Sequence, residues 1–204
     1  IIIFDNTFVS TIQSYHRFCL MSIGGRKMRQ IRKNVSPMSN QGRNAYVIEH
    51  ITDALLKLLQ EKPIEDISIS ELCELAKIGR ASFYRNFNSK EDILRAYIHQ
   101  LFQEWTKENT QWENQLLSDL LRSLFTHFEK HQSFYKLLNQ QNLIYLLKVV
   151  IIRLCGPKPE HSKEEAYARA YIAYTLYGWI EVWFQRGMKE TAEEIAEMFQ
   201  NQGL

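Results

Sequence analysis

Residues 69–94 read ISELCELAKIGRASFYRNFNSKEDIL, and this segment decides the fold. It contains two short stretches with helical apolar spacing, separated by a break at residues 78–79. Ser68, just before the segment, and Glu71 have the spacing of a capping box, which marks the start of a helix. We therefore predict one short helix beginning there and a second over residues 80–87.

Longer helices flank these two short ones. Upstream, apolar residues recur at three- and four-residue intervals from Asn44 to the Lys62-Pro63 step, which predicts a first helix. Downstream, the same spacing predicts a helix over residues 89–106. Two short helices joined by a tight turn and packed on a longer first helix form a helix-turn-helix.

The charge of this region is unevenly distributed. Residues 43–76 carry three basic and seven acidic residues, whereas residues 77–95 carry five basic and two acidic. Positive charge therefore gathers on the second short helix and the start of the next, where a phosphate backbone would lie. Because the whole chain has a net charge of only +2, this is a local patch. The pattern predicts DNA binding.

Residues 69–94 resemble the DNA-binding domain of TetR/AcrR-type transcriptional repressors. The resemblance rests on F-Y-x-x-F-x-(S/N)-K-(E/D)-x-(I/L), which begins at Phe83, and it covers residues 43–105 strongly. Lys77 departs from the family, which usually has Gly there, and adds a possible phosphate contact. Gly79 stands where the family has Ser or another helix cap, and it caps less well by a few tenths of a kcal/mol.

Base recognition is predicted for the start of the second short helix, because a recognition helix places its N-terminal residues against base edges. Arg80 matches guanine with two hydrogen bonds, Asn86 can pair with adenine, and Ala81 can touch a thymine methyl group.

Phosphate contacts are predicted around these residues. Ser82, Tyr84 and Arg85 carry side chains that suit phosphate oxygens, which position a protein without reading sequence. The resemblance implies two further DNA contacts, from Ser70 and from Lys90.

The C-terminal half is rich in helix-forming residues. Helices are predicted over residues 113–130, 133–153, 163–186 and 190–201. The stretch 167–184 carries more aromatic residues than one helix needs for its own core. Part of it should face a partner subunit or line a cavity.

The resemblance implies a homodimer whose last two helices pair across a two-fold axis, on a palindromic operator. The predicted dimer residues are Tyr177, Trp183 and Phe184. The predicted lining of a pocket for a small apolar or aromatic effector is Phe102, Trp105, Phe125, Phe128, Tyr145 and Tyr174.

The predicted fold class is all-α, in three segments. Residues 41–92 form the DNA-binding domain and residues 93–204 a regulatory and dimerisation domain. Residues 1–40 carry a net charge of +5 and are either a flexible arm that reaches DNA or, if Met28 or Met38 is the true start, a non-native extension.

Composition excludes other classes. Hydrophobic residues make up 45% of the 204, and 8 Gly with 4 Pro are too few for a many-stranded β-protein. No apolar run reaches the roughly 18 residues of a membrane span, which excludes a polytopic membrane protein. The three dispersed cysteines (Cys19, Cys73 and Cys155) predict buried thiols and a reducing cytoplasm.

Catalytic motifs are absent from the sequence. His127 and His131 are four residues apart, but HFEKH lacks the glutamate placement of a zinc protease helix, so a structural pair is predicted. No metal, cofactor or catalytic residue is expected. Two alternatives remain: an activator or adaptor without a small-molecule inducer and, least favoured, a small helical metal enzyme.

Overall fold

The computed structural model describes residues 40–108 and 117–201. Within these ranges all regular secondary structure is helical, so the predicted all-α class is confirmed. The helices are α1 (Asn40–Glu61), α2 (Ile69–Leu75), α3 (Arg80–Asn86), α4 (Lys90–Glu108), α5 (Leu117–Lys130), α6 (Gln132–Gln140), α7 (Tyr145–Cys155), α8 (Lys163–Gln185) and α9 (Ala192–Asn201). A 3-10 turn, Ile64–Asp66, lies between α1 and α2. The predicted N-terminal arm lies outside the described residues.

The first four helices form the predicted helix-turn-helix. Helices α2 and α3 pack on each other, and α2, α3 and α4 all pack on α1. Phe83 and Phe87 of the α3 segment are both buried, with ring centroids 6.2 Å apart. Their apolar surface anchors α3 to the core, because burying one such side chain contributes about 1.5–3 kcal/mol.

The start of α2 has only half of the predicted capping box. The Ser68 hydroxyl accepts a hydrogen bond from the Glu71 amide at 3.1 Å. The Glu71 carboxylate turns away instead and binds Lys62 Nζ at 2.7 Å. That ion pair ties the segment following α1 to α2, and the hydrogen bond from Lys62 holds the pKa of Glu71 below its usual range.

The turn between α2 and α3 places a lysine in the left-handed region. Lys77 has φ +55°, the Lys77 amide donates to Glu74 O at 3.1 Å, and the Ile78 amide donates to Cys73 O at 3.0 Å. These two bonds form the Schellman motif that ends many helices, in which the left-handed residue is usually glycine. A non-glycine residue there costs about 1–2 kcal/mol.

Helix α4 connects the two halves of the molecule. It packs on α1 and on α7. With 19 residues it is about 28 Å long at 1.5 Å per residue. Its buried side chains run along its whole length: Ile93, Leu94, Ile98, Leu101, Phe102, Trp105 and Thr106.

The single helix predicted over residues 133–153 is wrong, because the structure has α6 and α7 there. Asn142 adopts φ +55°, and the Leu143 amide donates to Leu138 O at 2.8 Å in a second Schellman motif. Asparagine tolerates the left-handed region because its short polar side chain bonds locally. Gln141 Nε2 also donates to Leu59 O of α1 at 2.6 Å, which holds this break against the first helix.

The remaining helices differ from prediction only at their ends. Helix α9 begins at Ala192 and not at 190, because Thr191 is its cap. Thr191 Oγ1 accepts from the Glu194 amide at 3.2 Å, and the Glu194 carboxylate accepts from the Thr191 amide at 2.7 Å. Residues 113–116 of the predicted 113–130 helix lie outside the described ranges. Within these ranges, no helix has the length and apolar character of a membrane span.

We predict that replacing Lys77 by Gly stabilises the protein by about 0.5–1 kcal/mol. Glycine removes the steric cost of the left-handed conformation. It also raises the conformational entropy of the unfolded chain, which offsets part of that gain. Chemical denaturation monitored by circular dichroism measures the change. Lys77→Val, which is β-branched, is the opposite control and should destabilise. Equal stability of the two variants would contradict the turn geometry.

Candidate functional site

The exposed face of α3 gathers four of the nine predicted DNA contacts. Arg80, Ala81, Tyr84 and Arg85 are all exposed, while Phe83 is fully buried on the opposite side of the helix. Phe83 fixes the rotation of α3 about its axis, because only one arc of a seven-residue helix can face the core. The two guanidinium groups therefore face solvent together.

Ser82 and Asn86 lie at the edge of this face and are half-buried. Asn86 Nδ2 donates to Ser82 O, one turn earlier, at 2.7 Å. Pairing of Asn86 with adenine uses the amide oxygen and one Nδ2 hydrogen, so the second hydrogen can keep this bond to Ser82.

Two further predicted contacts flank α3. Ser70 on α2 and Lys77 on the turn both have exposed side chains. Gly79 caps α3 without a side-chain hydrogen bond, and a Cβ atom added there would meet nothing within 4 Å. The space beside Gly79, at the N-terminus of α3, is therefore open.

Lys90, also predicted to contact DNA, is bound within the protein and does not extend toward that space. Its Nζ donates to the backbone oxygens of Ile64 and Ile67, the second at 2.6 Å, and Glu65 O lies 3.5 Å away. An ammonium group has three donors. Three carbonyl oxygens of the same chain therefore surround it.

The positive patch is consequently narrower than the sequence indicates. Arg95 binds Asp92 at 2.6 Å, and this hydrogen bond is the main reason that the pKa of Asp92 lies below its usual range. With Lys90 also bound internally, the exposed positive charge of residues 77–95 belongs to Lys77, Arg80 and Arg85.

Four of the six predicted pocket residues form one buried aromatic cluster between α4, α5, α6 and α8. Phe128 lies at its centre, with ring centroids 6.0 Å from Phe102 and from Phe125 and 4.7 Å from Tyr135. Trp105 is buried beside Phe102 and donates to Ser123 Oγ at 2.9 Å. We use the name aromatic cluster for the set Phe102, Trp105, Phe125, Phe128, Tyr135 and Trp183.

The other two predicted pocket residues, Tyr145 and Tyr174, do not belong to this cluster. Tyr145 is 47% exposed and Tyr174 is 52% exposed. The break before α7 makes Tyr145 its first residue and turns it outward. Lys148 Nζ lies 5.5 Å from the Tyr174 ring, a cation–π contact on the outer surface.

Two buried polar side chains, Tyr135 in the cluster and His127 beside it, were missed as site residues. Tyr135 is fully buried, and neither its hydroxyl nor Nε2 of His127 has a hydrogen-bond partner among the described residues. Burial, followed by the neighbouring His131, lowers the pKa of His127 to about 4, and burial raises the pKa of Tyr135. Both groups are therefore neutral at pH 7. The helical spacing could have placed Tyr135 inside, but no sequence signal indicates an unpaired hydroxyl.

The three residues predicted for the dimer interface are buried inside the chain. Trp183 is 1% exposed and donates to Glu190 O at 2.8 Å. Phe184 belongs to the same core, and the buried Tyr177 donates to Glu181 at 2.9 Å. These side chains face the core because one side of α8 packs on the other helices of its own chain.

The opposite side of α8 is also apolar. Tyr167, Tyr174 and Val182 are exposed, and Gly178, where an added Cβ would meet nothing within 4 Å, lies between the last two. These four positions recur at intervals of seven, four and four residues, so they share one face of the helix. We call this face the outer stripe of α8.

The histidine pair shows no sign of a metal site in the described residues. The rings of His127 and His131 are 4.7 Å apart, and no group of three or more His, Cys, Asp or Glu side chains is assembled in residues 40–108 and 117–201.

Comparison with protein families identifies both halves of the chain. Residues 51–97 match the family described as bacterial regulatory proteins, tetR family, and residues 115–202 match a transcriptional regulator C-terminal region. The first match spans the helix-turn-helix and the second spans α5 to α9.

A curated relative and a solved structure resemble the chain. The HTH-type dhaKLM operon transcriptional activator DhaS of Lactococcus lactis subsp. lactis (strain IL1403) is 30% identical over 89 residues. That alignment covers 42% of this chain and 45% of the relative, so the chain matches less than half of the relative's length. The crystal structure of Lin0861 from Listeria innocua covers 82% of this chain and 94% of its own, with TM-score 0.62 and 17% identity, which supports the fold alone.

We predict that Tyr135→Phe stabilises the protein by about 1 kcal/mol. Removing a buried hydroxyl without a partner removes its desolvation cost while keeping the apolar ring. Tyr177→Phe is the matched control, because its hydroxyl does have a partner, and it should lose about 0.5–1.5 kcal/mol. Denaturant unfolding of both variants provides the measurement. If Tyr135→Phe loses stability as the control does, the Tyr135 hydroxyl is bonded in solution.

Proposed function

Because this chain belongs to the TetR family of bacterial transcriptional regulators, we propose that it binds a palindromic operator as a homodimer, with α3 of each protomer in a major groove. Its family membership makes it a DNA-binding regulator. The two-fold symmetry, the groove contacts and the response to an effector are the proposal. We assign DNA binding to residues 41–92 and regulation and dimerisation to residues 93–204, in the cytoplasm.

One observation carries the DNA-binding geometry. The only basic residues on the exposed face of α3 are Arg80 at its start and Arg85 near its end, and Phe83 points the opposite way. Arg80 therefore meets base edges when the helix enters a groove N-terminus first, while Arg85 lies farther along, toward the backbone.

The outer stripe of α8 supports the homodimer. An apolar face that its own chain does not cover, on a helix already buried along its other side, is typical of an association surface. Glycine inside a helix costs about 1 kcal/mol relative to alanine, and at Gly178 it lets a second helix approach closely. In a two-fold dimer the same stripe serves both protomers.

We assign the effector site to the aromatic cluster. The unpaired Tyr135 hydroxyl and His127 Nε2 offer hydrogen bonds in a buried apolar setting, which suits a small neutral aromatic compound. Trp105 is the cluster residue near the end of α4, and the start of α4 adjoins α3. Effector binding there shifts α4, alters the spacing of the two α3 helices and releases the operator, so that the protein acts as a repressor.

Activation is the second candidate, and the named role of DhaS favours it. The two functions share the same DNA-binding geometry and differ in where the operator lies. A reporter with the operator placed over the promoter or upstream of it separates them. A repressor lowers expression only from the first arrangement, whereas an activator raises expression from the second.

We predict that Arg80→Ala costs roughly 1–3 kcal/mol of operator affinity and relaxes specificity at one base pair of each half-site. The operator is first selected by the wild-type protein from a random duplex library. Arg85→Ala is the matched control: it should weaken all sequences alike and reduce the slope of log K against log salt by about 0.9. Identical behaviour of both variants on operator and non-operator DNA would refute the docking.

We predict that Val182→Glu converts the dimer to a monomer. Val182 is 52% exposed, so a carboxylate there is tolerated by the folded chain but not inside a two-fold interface. Light scattering measures the mass, and circular dichroism verifies folding. Tyr46→Glu on α1, at a site 49% exposed, is the control and should leave the mass unchanged. A folded, dimeric Val182→Glu protein would show that the outer stripe is not the interface.

A further inference from the structure

The α2–α3 unit is attached to the start of α4 at both of its ends. At the end of α3, only residues 87–89 separate it from α4. At the start of α2, the link is noncovalent: Lys90 Nζ, in the first residue of α4, binds the backbone oxygens of Ile64 and Ile67, which precede the cap Ser68.

We propose that Lys90 is a positioning residue that makes the helix-turn-helix move as one body with α4. The proposal rests on the DNA binding described above and concerns how α3 is held, not which bases it reads. With both ends of α2–α3 fixed to α4, a displacement of α4 carries the whole unit. Without the Lys90 link, the start of α2 is joined to α4 only through α3 and through packing on α1, so α3 is held less closely in register with α4.

The chemistry of the link is strong enough for this role. Hydrogen bonds from a charged donor are stronger than bonds between neutral groups. Ile64 and Ile67 are themselves buried, so the oxygens that Lys90 binds are anchored to the core. The bonds from Nζ to both oxygens are partly shielded from solvent.

A second lysine holds the same region from the other side. Lys62, next to the end of α1, pairs with Glu71 of α2, and both side chains are about one-third exposed. Solvent weakens ion pairs between exposed side chains, so this link is the weaker of the two. Of these two side-chain links at the start of α2, the one from Lys90 is therefore the stronger.

A direct phosphate contact by Lys90 is the competing role, and it makes a different prediction. Losing one phosphate contact lowers affinity for every DNA sequence and flattens the salt slope by about 0.9. Losing an internal link leaves the number of phosphate contacts unchanged. It lowers affinity mainly for the operator, because only specific binding requires both α3 helices to be aligned.

The test uses full-length Lys90→Met, which keeps an apolar stem but removes the charged donors. Lys107→Met is the matched control, since it removes one exposed charge from the far end of the same helix. Binding of the selected operator and of a non-operator duplex is measured across a salt series. We expect operator affinity to fall about tenfold in Lys90→Met. Non-operator affinity and both salt slopes should match those of Lys107→Met.

Conservative replacement separates positioning from general stability. Lys90→Gln keeps a neutral donor and should give an operator preference between those of the wild-type protein and Lys90→Met. An equal fall in affinity for both duplexes with a flatter salt slope would establish a phosphate contact and overturn the proposal. Unchanged binding of both duplexes would overturn it as well.

A measurement without DNA keeps this proposal distinct from the proposed function. Hydrogen exchange of residues 64–76 should be faster in Lys90→Met than in the wild-type protein, and unchanged in Lys107→Met. If the chain bound no DNA, this result would still establish the link. Unchanged exchange in a folded Lys90→Met protein would overturn it, and Lys90→Gln provides the same readout if Lys90→Met does not fold.

Discussion

Helix α4 is the constraint on which the rest of the structure depends, because its buried face belongs to both halves at once. Ile93 and Leu94 at its start pack in the helix-turn-helix core, and Phe102 and Trp105 near its end belong to the aromatic cluster. The buried core is continuous along this face. Because protein interiors are close-packed, neither half can shift along α4 without disturbing side chains of the other.

This packing accounts for the exposure of α3. Phe83 faces the core, so Arg80 and Arg85 must face away from it. Two other cations in the same stretch have acceptors within the protein: Lys90 binds carbonyl oxygens and Arg95 binds Asp92. The positive charge of residues 77–95 thus divides into a part that holds the helices together and a part that is available to DNA. In the proposed complex, only the second part contributes to salt-dependent binding of DNA.

The distribution of aromatic residues on α8 follows the same logic. A helix apolar on all sides has to bury more than one face. Trp183 and Phe184 are buried by their own chain, whereas Tyr167 and Val182 are exposed. The sequence shows the excess of apolar residues but not its division, because residues on both faces have the same chemical character. Which face turns inward depends on the contacts that α7 and the aromatic cluster make with α8.

The sequence by itself determined the all-α class, the helix-turn-helix and most helix ends, because helical spacing and caps such as Ser68 and Thr191 act within a few residues. Only the tertiary structure decided the break at Asn142, the outward turn of Tyr145, and the partners of Lys90. The oxygens that Lys90 binds lie 23 and 26 residues away in the chain. A long, flexible cation has many possible partners in a sequence, and only the packed fold brings one set within reach.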